Sequence, residues 1–597
     1  MAMKIALIVL NDVGLGLARR LQPTLDGAVV HGLAGRADMA DLVFHNTMTH
    51  LRALHRKGTP IVGLCAAGIL IRAIAPVLND KRDSAPVVAL AEDGSAAVPL
   101  IGGHHGANEL ARQIATACGG VAALTTAGDI RFGFSLDDPP AGWQIANSEQ
   151  VKPITAALLA GDGARLEIEA GTAGWLANGP WRTDAAALVI VTNRQHREHG
   201  TALVLHPPTL ALGVGCERGT TTQELRSLVE ETLRDAGLAP QSVAAIGSLD
   251  LKIDEPAVHQ VATSLGVPAR FFDAARLEQE YPRLQNPSKI VFQETGCHGV
   301  AEGAALALAG SKGELLIAKR KSKRATCAIA RAPNDIDPDQ GIGRGHLSIV
   351  GIGPGNPAWR SPEATTVLSD AEFLVGYERY LDLIADIGHR AERRAYGLGQ
   401  EADRVCDALT LAGEGYRVAL VCSGDAGIYA LASLVFEMLE TAANPIWRRA
   451  EITVSPGITA MQAAAARAGA PLGHDFCAIS LSDLMTPRET IVNRLATAAA
   501  SDFVTALYNP QSTRRRDLLR QAQKLFLEYR PESTPVVIAR NLGRTDETVR
   551  ITTLAELDTK SVDMLTLVIV GNSETRILNH TDGVRTYTPR GYRMAIC

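Results

Sequence analysis

The sequence predicts a multidomain α/β protein built on parallel sheets. Apolar runs of strand length, among them residues 4–10, 60–63, 87–90 and 121–124, alternate with stretches of helical length. Several later runs end in glycine turns, the place where α/β proteins put ligands. The composition agrees: 46% hydrophobic, 4% aromatic and 55 glycines in 597 residues, enough chain for roughly three to five domains. With 59 Lys+Arg against 64 Asp+Glu, a nucleic-acid binder that relies on phosphate contacts is excluded. An anionic substrate must be met by local basic clusters.

The first apolar run is followed at once by Asn11 and Asp12, so it reads as a strand and not as a signal peptide or membrane span. Nine cysteines contain no C-x-x-C pair, which removes the common zinc and redox motifs. No metal site is expected, and a reducing cytoplasm fits best.

In the N-terminal part, Gly63 to Arg72, Leu100-Ile-Gly-Gly-His-His-Gly-Ala-Asn-Glu-Leu-Ala111 and Leu124-Thr-Thr-Ala-Gly-Asp129 are the blocks with chemistry. His104 and His105 lie between Gly103 and Gly106 at a strand-to-helix junction, and histidine is the side chain poised near neutral pH. They are either an acid–base pair or a solvated ring beside a helix cap. Cys65 is either a nucleophile or an inert buried thiol, and Asp129 either orients a histidine or caps a turn. Residues 153–160 read as a short helix, and Trp175, Trp181 and residues 188–192 as strands.

From residue 210 a strand, a glycine loop and a threonine-capped helix follow, with Arg218 in the loop. That helix start suits a carboxylate. The basic run 319–324 is either a solvated strand end or a clamp for substrate carboxylates. Residues 331–345 have the Pro, Gly and Asp content of a linker.

The C-terminal half carries the strongest pattern. A buried strand ending at Val421 runs into Cys-Ser-Gly-Asp-Ala-Gly-Ile-Tyr429, with a helix expected over 428–439. Upstream, glycines 351, 353 and 355 follow another strand, but Asn356 takes the sixth place of the dinucleotide fingerprint and Pro354 has no N–H for a phosphate. Both departures argue against a nucleotide cradle. Ser361-Pro362-Glu363 reads as a helix start. Val454-Ser-Pro-Gly-Ile-Thr-Ala460, Leu481 to Pro487, Leu507-Tyr-Asn-Pro510 and Thr566 to Ser573 complete the set.

In this order and spacing the six blocks resemble the tetrapyrrole (precorrin) methylases, most of all those acting at C17 of precorrin-3B, over about residues 346–590. The N-terminal blocks resemble cobalt-precorrin-5A hydrolase, whose C-terminal domain is also similar to the stretch 202–331. The resemblance implies a fusion: a hydrolase-like N-terminal α/β domain at 1–145, a small linking domain at 146–201, a hydrolase-like C-terminal domain at 202–331, a linker at 332–345 and, at 346–597, a methylase of two αβα domains with the cofactor in the cleft between them.

The resemblance further implies a bifunctional enzyme of corrin-ring synthesis. One half would methylate precorrin-3B at C17 with S-adenosylmethionine and contract the ring to precorrin-4; the other would open a lactone and release a two-carbon fragment. The alternative is a catalytic methylase joined to a tetrapyrrole carrier module. Contacts to S-adenosylmethionine carry over onto Pro354, Ser423, Gly424, Asp425, Ile428, Thr459, Ala460, Asn509 and Gly543. Gly351, Gly353 and Gly355 would face the macrocycle, and Arg488, Arg514, Arg515 and Arg516 would anchor its carboxylates. In the hydrolase half, His104, His105 and Asp129 are the catalytic candidates. A precorrin partner, no nucleic acid, no membrane and a homodimer are expected.

Overall fold

The computed structural model describes residues 5–78, 85–195, 200–387, 391–441, 444–511, 517–581 and 583–592 and, of residue 104, the backbone alone. The chain divides into two compact units, Met1–Arg344 and Gly345–Cys597.

The first unit opens on a seven-stranded sheet of β1 (Ala6–Val9), β2 (Val29–Leu33), β3 (Leu42–Phe44), β4 (Ile61–Leu64), β5 (Val87–Leu90), β6 (Ala96–Ile101) and β7 (Val121–Ala122), in the order β3-β2-β1-β4-β5-β6-β7. Only the β5–β6 pair is antiparallel. Alternation within β1 shows why the sheet is buried on both faces. Leu7 and Val9 pack under the helices Asp12–Leu21 and Ala107–Cys118, while Ala6 and Ile8 pack under Thr47–Arg56 and Ala67–Ile74.

A four-stranded sheet follows: β8 (Gln144–Ile145), β9 (Arg165–Ile168), β10 (Leu188–Val191) and β11 (Leu203–His206), ordered β8-β11-β10-β9. This module reaches outside residues 146–201 on both sides. β8 pairs antiparallel with β11, and Phe134, Leu136 and Trp143 sit in the same core as Leu176. Trp175 lies in a 3-10 turn, Gly174–Leu176, and not in a strand.

The third sheet holds β12 (Leu210–Cys216), β13 (Val243–Leu249), β14 (Ala269–Phe272), β15 (Glu314–Lys321) and β16 (Ala325–Arg331), ordered β14-β13-β12-β16-β15. The helix Val300–Ala309 lies buried against it. A Cβ at Gly213 would stand 1.8 Å from the Ala301 carbonyl oxygen, so glycine there is what lets helix and strand touch.

The second unit has two lobes. β17 (His346–Gly351), β18 (Phe373–Tyr377), β19 (Glu392–Tyr396), β20 (Arg417–Cys422) and β21 (Glu451–Ser455) form a parallel sheet ordered β19-β18-β20-β17-β21. β22 (Gly469–Ala470) leads to β23 (Phe476–Ser480), β24 (Val504–Tyr508), β25 (Pro535–Arg540), β26 (Thr548–Thr553) and β27 (Thr566–Val570), ordered β23-β24-β27-β25-β26. β28 (Arg576–His580) and β29 (Gly583–Tyr587) close a small sheet with β22. The helix Ala460–Ala468 starts at the end of the first lobe and packs on β24, β25 and β27 of the second.

Candidate functional site

The loops that leave β17, β20 and β21 meet at the carboxyl end of the first-lobe sheet of the second unit. Gly353 and Gly424 exchange backbone hydrogen bonds at 3.1 and 2.8 Å, both with positive φ. The Asp425 carboxylate holds two turns together, accepting from the Gly427 N–H at 2.8 Å and the Gly457 N–H at 3.0 Å. Tyr429 has φ of 53°, a left-handed turn that delays the helix to Ala432–Thr441, four residues later than the pattern predicts.

Above this crossing lies a cleft of about 900 Å³. Pro354, Ser423, Gly424, Asp425, Ile428, Thr459, Ala460 and Asn509 all line it. Thr459 caps the helix Ala460–Ala468 with Gln462, and its hydroxyl lies 2.5 Å from that of Tyr508, which also accepts from the Met461 N–H at 3.1 Å. Burial pushes the Tyr380, Tyr429 and Tyr508 phenols up from their ordinary value, so all three stay neutral. Tyr429 donates to the Ala478 carbonyl at 3.0 Å.

Gly543 lies one step from this wall, between the lining residues Leu542 and Arg544. Its φ is 70°, and a Cβ there would meet the Asn356 nitrogen at 2.8 Å. The expectation that Gly351, Gly353 and Gly355 face a ligand needs correction, because none of them lines the cleft. Gly351 is pressed against Gly424 and Gly457, Gly353 against the Trp359 carbonyl, and Gly355 against Arg544. Their lack of a Cβ serves backbone approach beneath the cleft.

Arg488 is a second correction. It is exposed at the start of the helix Arg488–Ala500, reaches Gln521 at 3.4 Å and lines no part of the cleft. Arg514, Arg515 and Arg516 lie outside the described residues. The cations that do line the cleft are Arg379, Arg520, Arg544 and Lys560. Sequence reasoning missed them because they come from a five-residue helix, a ten-residue helix, a loop and a 3-10 turn, with no local pattern in common. Arg544 donates to the Pro354 carbonyl at 3.2 Å; Arg379 and Arg520 form no ion pair among the described residues.

In the first unit, Asp129 is buried and fully occupied. It accepts from Asn108 at 2.8 Å and Thr126 at 2.6 Å and pairs with Arg112. Among the described side chains it orients no histidine, and its oxygens tie the helix Ala107–Cys118 to the turn at 126–129. His105 is exposed in a 3-10 turn between Gly102 and Gly106, both with positive φ, and the His104 side chain lies outside the described residues. Cys65 is no poised nucleophile, since burial pushes its thiol up to about 11. The helix start at Thr221 also has internal partners: Arg218 pairs with Asp254, and the Gly219 N–H donates to Glu255. The basic run is similarly engaged, Arg320 by Asp235 and Arg324 by Glu217.

No helix among the described residues is long and apolar enough to cross a membrane, and no group of three or more His, Cys, Asp or Glu side chains among them is placed to hold a metal ion. The family model described as Tetrapyrrole (Corrin/Porphyrin) Methylases matches residues 346–558. Those described as Cobalamin synthesis G N-terminal and C-terminus match residues 49–129 and 210–330. A Sinorhizobium protein named Precorrin-3B C(17)-methyltransferase is 43% identical over 250 residues, 42% of this chain and 97% of that protein. The solved methyltransferase CobJ is 40% identical, covering 41% of this chain and all of its own, with a TM-score of 0.39. CobE, a protein of the cobalamin pathway, is 45% identical over 21% of this chain and 89% of its own, with a TM-score of 0.20.

Proposed function

This chain belongs to the tetrapyrrole (corrin/porphyrin) methylases, and from that premise we propose that its second unit methylates precorrin-3B at C17 with S-adenosylmethionine, the product contracting to precorrin-4. The observation that carries the reading is the convergence of the Gly424–Asp425 turn, the Thr459–Ala460 helix start and Asn509 on one cleft that also presents Arg379 and Arg520.

The residues present fit the cofactor. An added Cβ at Gly424 would find its nearest neighbour only at 3.8 Å, so there is room over that turn for a ligand to reach the backbone. Ser423, Thr459 and Asn509 supply polar groups around it. S-adenosylmethionine, when bound, supplies an electrophilic methyl group and its own leaving group. The chain's task is then alignment, which proximity rewards heavily. Asp425 holds the turns rigid, the neutral phenols of Tyr380 and Tyr508 close the wall, and Arg379 and Arg520 pair with the carboxylates of the macrocycle. Contraction follows from the substrate's own electronics once C17 is alkylated, so no dedicated acid or base is required.

For the first unit we propose lactone opening of a cobalt-precorrin-5A-type substrate with release of a two-carbon fragment, supported by the two cobalamin synthesis G matches. A homodimer formed through the second unit, in the cytoplasm, completes the reading. Exposed Ile577, Leu578 and Val584 on the β28–β29 hairpin are consistent with self-association.

Arg379 and Arg520 give the test. Replacing both by methionine is expected to raise KM for the precorrin about tenfold or more, at roughly one charge-assisted pair per arginine, with kcat and cofactor affinity within about threefold of wild type. Steady-state methyl transfer at varied precorrin measures this. An unchanged KM would place the macrocycle elsewhere.

A further inference from the structure

The domain between β12 and β16 holds a histidine gripped by a carboxylate. The short helix Ala274–Glu278 is capped by Asp273, whose side chain accepts from the Arg276 N–H at 2.6 Å, and it ends on Glu278. That carboxylate takes two groups of one residue: Oε2 accepts the backbone N–H of His298 at 2.8 Å, and Oε1 lies 2.8 Å from His298 Nδ1. With a carboxylate as acceptor, Nδ1 carries the proton and the lone pair of neutral imidazole is left on Nε2. No partner of Nε2 occurs among the described residues.

The ring is held between Phe292, at 4.3 Å and 23°, and Tyr281, at 4.5 Å. The His298 side chain keeps 20% of its surface exposed, and both flanking rings are exposed as well. Nearby, buried Glu302 accepts from the N–H groups of Gln285, Asn286 and Lys319, which fixes the loop before Phe292. Cys297 is fully buried, and burial pushes its thiol up, so it is not the nucleophile.

We propose that His298 is the general base of hydrolysis in the first unit, with Glu278 as its positioning residue. This rests on the reading that the first unit opens a ring lactone. Nε2 takes a proton from a water molecule while the water oxygen bonds to the lactone carbonyl carbon, and the carbonyl electron pair moves onto its oxygen. That pair then re-forms the double bond, the carbon–oxygen bond to the ring oxygen breaks, and the proton on Nε2 passes to the departing oxygen. One water is consumed, one carboxylic acid and one hydroxyl are formed, and the imidazole ends neutral. Phe292 and Tyr281 offer flat faces to a conjugated macrocycle beside the base.

The test uses the full chain and a lactone-bearing cobalt-precorrin, with mass spectrometry following the gain of one water on ring opening and the subsequent loss of the two-carbon fragment. His298→Ala is expected to lower kcat about 100-fold or more, and added imidazole to restore at least about a tenth of the lost rate, since the vacated site opens to solvent. Glu278→Gln is expected to lower kcat about tenfold with KM unchanged, and Glu278→Asp to recover part of it. Wild-type turnover in His298→Ala overturns the proposal, as does a loss that imidazole does not relieve. If the wild-type chain leaves the lactone closed, the hydrolase reading itself falls, and the base with it.

Discussion

Gly457→Ala is expected to cut methyl transfer at least about 100-fold, because displacing aligned groups by about 1 Å has that effect. A Cβ at residue 457 would lie 2.1 Å from the Gly424 oxygen and 2.7 Å from the Gly351 oxygen. Both obstacles are backbone, so no side chain can rotate away. Relief must come from moving the Gly424–Asp425 turn, whose carboxylate holds the Gly457 N–H. Overpacking of this kind costs about 1–3 kcal/mol, and the cofactor wall moves with it. Calorimetric titration with S-adenosylhomocysteine, beside kcat/KM, checks this. Wild-type affinity and turnover in Gly457→Ala would show that the glycine crossing does not position the cleft.

Acid is expected to loosen the first unit well before general acid unfolding. His31 and His50 meet through their ring nitrogens at 2.8 Å, His50 stacks on Phe44 at 4.5 Å, and His31 is buried. Burial, and then the facing His50, lowers His31 to about 3. Burial, and then Lys57, lowers His50 to about 4. The sign follows from linkage: the unfolded chain binds these protons near pH 6.5, and the folded chain only near 3 and 4. Stability is therefore complete above pH 6.5 and is lost as the pH falls towards 4. At about 1.4 kcal/mol per pH unit for each histidine, discounted for the partly solvated His50, roughly 3–5 kcal/mol disappears between pH 6.5 and 4.5. Hydrogen exchange of the amides at 29–56 reads this locally. Protection should fall steeply in the wild type and much less in the His31→Gln/His50→Gln double variant. Equal pH dependence in the two proteins would contradict it.

The fold was legible where burial imposes a period. β1 and β20 are continuous apolar runs because both sheet faces are covered, and Ser361 and Thr221 cap the helices their sequence contexts predict. The Gly-Asp turn was legible for a similar reason, since a tight turn after a buried strand needs small residues in fixed order. What the sequence hid depends on distance along the chain. Asp129 is filled by Asn108 and Arg112, 21 and 17 residues away; Glu278 meets His298 across 20 residues. Neither spacing matches a helix or strand period. Arg379 and Arg520 share a cleft only because two lobes face each other, and the glycines of 351–355 look like a ligand loop because close backbone packing demands the same residue. Phe134 and β11 join the small domain through tertiary packing that no local composition marks.

The most direct test of the central claim is the mass spectrum of the product after the purified chain is incubated with S-adenosylmethionine and precorrin-3B. A gain of one methyl group, located on C17 of a contracted macrocycle by carbon-13 labelling, is the predicted result. Cofactor binding without methyl gain on precorrin-3B or its cobalt analogue, or methylation at another carbon, would contradict the C17 assignment.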